Sequence, residues 1–396
     1  MFDLNAIQKA LTDAGLDGWL FYDFRGQNPL ATRILQFPVG QHSTRRFFYF
    51  VPAHGEPVKI VHKIESTALD HLPGKKFVYL AWQQLEAFIQ EALVTSREIA
   101  MEYSPMNAIP YVSKVDAGTV ELIRSFGVTV VSSGDLIQLF EAVLSPDQWA
   151  GHLEVSKYTE EAFELVWAFL ADQIKAKGEV DEKDVLNVIN NQFRKHDLFW
   201  DHDAIVGVNA NAGLPHYATG TGANTKIRKG DLLLVDLWAK LKKPGSIYSD
   251  LTRTCVIGKD HNPKYDEIFK IVIDGRDAAL NLVKQAAGKK ETVTGAAVDR
   301  ACRKVITDAG YGDFFTHRTG HSLGQEGHGN GAHIDDIETS DSRSLIPGTM
   351  FTIEPGIYLP EQNMGFRSEV DVYLTNNFEV IVTGGTPQTG LTIIDV

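Results

Sequence analysis

"GDLLLVDLWAK", residues 230–240, decides how this chain is read. Its apolar run is that of a buried β-strand, yet Asp236 stands inside it. Period-two alternation puts Asp236 on one face with Leu232, Leu234 and Trp238. A carboxylate on such a face must be ion-paired, hydrogen-bonded or held by a cation, because burying it bare is unfavourable.

The same pattern recurs downstream. "IYSDLTRTCVIG" (247–258) sets Asp250 on a strand face with Thr252. "MFTIEPGIY" (350–358) sets Glu354 at the end of a strand, stopped by Pro355-Gly356. "GFRSEVDVYL" (365–374) alternates, with Phe366, Val370, Val372 and Leu374 on one face and Arg367, Glu369 and Asp371 on the other. Any one such acid is usually a satisfied structural carboxylate. Together they invite a shared explanation, and "HRTGHSLGQEGH" (317–328) offers imidazoles to go with them. Gly320, Gly324 and Gly327 argue against a helix there. They also let backbone pass close to a metal or substrate. Hard oxygen ligands with one imidazole suit Mn²⁺, Co²⁺ or Zn²⁺. Two adjacent divalent ions would balance carboxylates that otherwise repel one another.

The bulk composition is compatible with this. The chain has 396 residues, 43% hydrophobic and 22% charged, which predicts two soluble globular domains. A net charge of −13 argues against nucleic acid. Two cysteines, Cys255 and Cys302, exclude a disulfide scaffold. The N-terminal stretch has no signal-peptide pattern and no apolar run is long enough to span a bilayer, so a cytoplasmic location and no membrane partner are expected.

Before residue 145, helical and strand patterns alternate, from "LNAIQKALTDAG" through "VTVVSS", as in an α/β domain. His54, His62 and His71 are isolated there and are expected to be surface or structural residues. "SPDQ" at 145–148 reads as the start of a long helix. The domains are placed at 1–146 and 147–396. Further helices are expected at roughly 263–287 and 293–308 among strands.

"GLPHYATG", "LLLVDLWA", "YSDLTRT", "HRTGHSLG", "FTIEPGIY" and "GFRSEVDVYL", in this order, resemble the family of prolidase, aminopeptidase P, creatinase and methionine aminopeptidase. The resemblance covers roughly 150–396 and is closest to bacterial-type Xaa-Pro dipeptidases. It implies an α/β N-terminal domain and an α+β "pita-bread" catalytic domain. It further implies two divalent metal ions, with Mn²⁺ expected ahead of Co²⁺ or Zn²⁺, held by Asp236, Asp250, His321, Glu354 and Glu369. Asp250 and Glu369 would bridge them. Metal-bridging hydroxide would attack the peptide carbonyl, with Glu354 as general acid–base and His216 and His328 as catalytic histidines. His216, His317, Tyr358 and Arg367 would bind substrate, and His317, Arg318 or Arg367 would neutralise a product carboxylate.

The implied activity is hydrolysis of Xaa-Pro dipeptides by a homodimer. Alternatives are an Xaa-Pro aminopeptidase on longer peptides, a creatinase-like amidinohydrolase, or a non-catalytic binding protein. The chain departs from the family in three places, one of them the N-terminal stretch "YDFRGQNPLATRILQF" (22–37), which replaces the usual strand-to-turn pattern. "KLKKPGS" makes a longer turn between Asp236 and Asp250. "GHGNGAH" (327–333) breaks the usual pattern after His328 and makes His333 its rival. His202 is read as a structural or rim residue, and His333, Asp335 and Asp336 as part of a solvated loop.

Overall fold

The structure, a computed structural model, describes residues 2–38, 40–41, 43–339 and 341–396. Two compact units divide the chain, Met1–Glu141 and Ala142–Val396.

The first unit is a mixed six-stranded sheet. In spatial order its strands are Lys75–Tyr79, Val58–His62, Phe47–Pro52, Gly18–Asp23, Glu98–Met101 and Thr129–Ser132. Aromatic residues alternate across it. Trp19, Phe21, Phe47 and Tyr49 pack on one face with Ile7 and Leu11 of the first helix. Leu20, Tyr22, Phe48 and Phe50 pack on the other with Leu85, Ile89 and Ile123. Helices on both faces of the sheet follow from that alternation of buried side chains.

The second unit opens with the helix Pro146–Lys177. Ser145 Oγ accepts from Gln148 N, the Gln148 side chain returns a bond to Ser145 N, and Pro146 takes the first helical position. A left-handed Gly178 (φ 81°) ends it. The helix Glu182–Lys195 follows, in a stretch for which no element was expected. Its apolar stripe of Val185, Ile189 and Phe193 is narrow and lies among polar residues.

These two helices cover one face of a sheet built on the hairpin Leu232–Leu241 and Ser249–Ile257. Leu233, Val235, Leu237 and Leu251 enter that core. The opposite face carries Asp236 and Asp250. A second sheet, containing Thr349–Ile353 and Val370–Leu374, packs through Phe351, Ile353, Val370 and Val372 against the helices Lys264–Gly288 and Gly295–Asp308. Each fully buried large apolar side chain contributes about 1.5–3 kcal/mol. Those gains on the outer faces offset the acids held on the inner ones.

Register then brings the acids together. Asp236 pairs with Thr252 and Trp238 with Asp250, so the longer turn at 242–248 leaves both aspartates on one face of the hairpin. Asp371 joins the second sheet to the first: its Oδ2 accepts from Asp250 N at 3.1 Å and from Ser249 Oγ at 3.2 Å.

One expectation fails. His333 and Asp335 are buried, not solvated, and only Asp336 is exposed. Asp335 is drawn inward because its carboxylate closes the turn, accepting from the backbone of Ile337, Glu338 and Thr339. His333 Nδ1 accepts from Ser322 N at 3.0 Å, which anchors it beneath the histidine segment. Among the described residues, no helix is long and apolar enough to cross a membrane.

Candidate active site

A cavity of about 840 Å³ opens in the second unit. Asp236, Asp250, His321, Glu354 and Glu369 line it, with His216, His317, His328, Arg367 and Arg318. Strands carry Asp236 and Asp250, and Glu354 and Glu369 flank strand ends, whereas His216 comes from the loop after Ile205–Val208. His202 also lines the cavity and is exposed.

Asp250, His321 and Glu369 each bring a ligand atom within 4.8 Å of the others, and all three are buried. His321 Nδ1 lies 3.1 Å from the Ser322 carbonyl, which can only accept. Nδ1 therefore carries the proton, and Nε2 turns its lone pair toward Glu354 Oε1 at 3.2 Å and Asp250 Oδ2 at 3.7 Å. A lone pair facing two carboxylate oxygens is unfavourable unless a proton or a cation stands between them. Burial, then repulsion from neighbouring carboxylates, pushes Asp250 and Glu369 well above the ordinary carboxylate range. Divalent cations would reverse that shift. Asp236 adds a buried Oδ1 with no hydrogen-bond partner among the described residues. The donor set thus fits metal.

Side chains behind the acids hold them in place. Arg367 Nη2 donates to Asp236 Oδ2 at 2.5 Å, Nη1 to Tyr358 OH at 2.7 Å and Nε to Thr252 Oγ1 at 3.0 Å. Thr252 passes the chain on to Glu369 Oε2 at 2.8 Å. Thr352 Oγ1 accepts from His321 N at 3.1 Å and donates to Glu354 Oε1 at 3.0 Å. Burial pushes Glu354 up, but positive charge between it and His321 Nε2, whether proton or cation, outweighs burial and holds Glu354 below its ordinary range. Gly320 allows this crowding: a Cβ there would lie 2.0 Å from the Thr352 carbonyl oxygen. Gly327 lines the cavity, and a Cβ there would meet nothing within 4 Å among the described residues.

The expected substrate-binding residues divide into two kinds. His216 is exposed on the cavity wall. Tyr358 lies behind the wall, with its hydroxyl shared between Arg367 and His317 Nε2, the latter at 2.7 Å. His317 Nδ1 lies 2.7 Å from the Arg318 carbonyl, so both of its nitrogens are engaged. Burial lowers His317 to about 4. Arg318 Nη2 donates to His328 Nδ1 at 3.0 Å, which leaves the His328 proton on Nε2. Positive charge at His321, whether proton or cation, followed by burial, lowers His328 to about 3, so it stays neutral near pH 7. His333 does not line the cavity. Thr252 and Asp371, placed on these faces by periodicity, and Thr352 had no role assigned from sequence. Their one signal is polar residues on the same strand faces as the acids.

This constellation of carboxylates around one imidazole is that of a metal-dependent hydrolase. A model described as metallopeptidase family M24 matches residues 150–376, and the chain belongs to that family. An uncharacterized peptidase of Staphylococcus epidermidis is 27% identical over 351 residues, 86% of this chain and 88% of its own length. The dipeptidase PepE of Mycobacterium ulcerans shares the fold with a TM-score of 0.69 and 24% identity, over 99% of this chain and 97% of that one. An Xaa-Pro dipeptidase from Bacillus anthracis superposes with a TM-score of 0.65 at 20% identity, over 98% of each. The architecture is therefore an N-terminal α/β domain followed by the pita-bread catalytic domain of this family.

Proposed function

We propose that the protein is an Xaa-Pro dipeptidase using two divalent cations, taken as Mn²⁺. The observation that carries this is the His321 Nε2 lone pair aimed at Asp250 and Glu354 on the cavity wall. The full-length likeness to structures named as dipeptidases supports the substrate class. Asp236, Asp250, His321, Glu354 and Glu369 would hold the cations. Bound there, the cations would supply Lewis acidity and lower the proton affinity of water.

The chain's own residues do the rest. Glu354 is held in its ionised form. Its Oε1 is taken by Thr352, so Oε2 is the atom that removes the proton from the attacking water and delivers it to the leaving nitrogen. That nitrogen belongs to proline, whose amide has no N–H for the enzyme to read. Recognition therefore falls on the ring and on the carbonyl. His328, neutral with Nε2–H free of the Arg318 contact, donates to the carbonyl oxygen as charge develops on it. His216 contacts the substrate from the opposite loop. Arg367 has Nε, Nη1 and Nη2 each on a protein partner, so it holds Asp236 and Tyr358 in place.

Hydrolysis of Ala-Pro against a Pro-containing tripeptide, with Mn²⁺ present, tests the substrate class. Cleavage of Ala-Pro is expected. Cleavage of the tripeptide alone would show an aminopeptidase instead.

A further inference from the structure

Glu182 is fully buried at the start of the helix Glu182–Lys195, and it does not line the cavity. Its Oε1 accepts from Val208 N and Asn211 Nδ2, both at 2.8 Å. Its Oε2 accepts from Tyr217 OH at 2.7 Å and Gly220 N at 3.2 Å. The Tyr217 hydroxyl in turn accepts from Gly222 N at 2.8 Å. Every one of these partners lies within residues 208–222.

That segment carries His216. Apart from the end of one strand and the 3₁₀ turn Asn209–Gly213, it has no ladder of its own. Loop backbone without a ladder takes its geometry from whatever satisfies its polar groups. Here one carboxylate does so from within the core. A buried carboxylate is tolerated only when fully hydrogen-bonded, and its place in the first turn of a helix favours negative charge further. The acids and imidazole that would hold metal sit on other segments, so fixing the loop and binding metal are separable.

We propose that Glu182 is the positioning residue for His216. It holds the 208–222 loop so that the imidazole stands at the substrate, and it touches neither substrate nor metal itself. This rests on His216 contacting the substrate, as set out above.

The test is a double-mutant cycle of Glu182→Gln and His216→Ala on the Mn²⁺-loaded enzyme. Its readouts are kcat/KM on Ala-Pro and metal content by elemental analysis. Glutamine keeps the shape but turns one acceptor oxygen into an NH₂ facing donors. Glu182→Gln is expected to lower kcat/KM ~10–100-fold in the wild-type background, the scale of a misplaced catalytic group. On the His216→Ala background it should cost less than ~3-fold, because the group it positions is gone. Metal content should match wild type. Equal losses in both backgrounds would overturn the inference, showing a general structural role. A His216→Ala enzyme as active as wild type would overturn the role of His216 and the inference with it. If Glu182→Gln does not fold, Tyr217→Phe enters the same cycle with the same two outcomes, since it removes only the hydroxyl between Glu182 and Gly222.

Discussion

Replacing Arg367 with methionine probes how the acid cluster is held. The guanidinium is buried, with Asp236, Tyr358 and Thr252 on its three nitrogens. Methionine keeps much of the side-chain volume and leaves Asp236 in the protein interior without its cation. Breaking a buried ion pair from one side is worth about 3–5 kcal/mol. For a unit of this size that corresponds to a fall in Tm of roughly 6–20 °C in metal-free protein. Mn²⁺ should recover part of the loss, because cations bound beside Asp236 would take over its neutralisation. The assay is thermal denaturation of both proteins after chelation and again with Mn²⁺. Arg367→Met melting with wild type in chelator, or Mn²⁺ raising the Tm of the variant no more than that of wild type, would contradict this role of Arg367.

Other outcomes follow from single positions. Asp250→Ala and Glu369→Ala should each abolish peptide hydrolysis, since each removes an oxygen expected to reach both cations; full activity in either variant contradicts the assigned geometry. Gly320→Ala should destabilise the catalytic unit by at least about 1–3 kcal/mol, because its Cβ would meet the Thr352 carbonyl at 2.0 Å, and urea denaturation measures it. In the first unit, burial raises Glu102 from 4.5 to about 7, against donors from Asn28, Trp19 and Ser133. A folded-state pKa above the unfolded one gives stability that is complete below the unfolded value and lost as pH rises through the folded value. Wild type should therefore lose about 3 kcal/mol between about pH 5 and pH 8 that Glu102→Gln does not lose. Parallel stability curves for the two proteins would contradict this.

The acids were legible because each breaks a strong local pattern. Asp236 interrupts an apolar strand, and Arg367, Glu369 and Asp371 share one face of an alternating one. Periodicity reports which face a side chain takes, so the inward-facing set could be drawn before the fold was known. Periodicity does not report partners. That Arg318 would fix the His328 tautomer, or that Thr352 would tie His321 to Glu354, depends on loop closure across strands far apart in sequence. The burial of His333 and Asp335 was misjudged for a related reason. A polar run with glycines looks solvated until its side chains are seen closing turns against Ser322 and the 337–339 backbone. The helix Glu182–Lys195 was hidden by its polar composition, and with it the carboxylate that ties down the His216 loop.

On the proposed reading, the carboxylates around His321 form a two-cation centre on which peptide hydrolysis depends. Titrating chelated enzyme with Mn²⁺, with bound metal and Ala-Pro hydrolysis measured on the same samples, tests it most directly. Activity should rise with occupancy and level off at two ions per chain, and Asp250→Ala should neither fill the centre nor gain activity. Hydrolysis at full rate in chelator, or saturation with metal that leaves Asp250→Ala equally loaded, would contradict it.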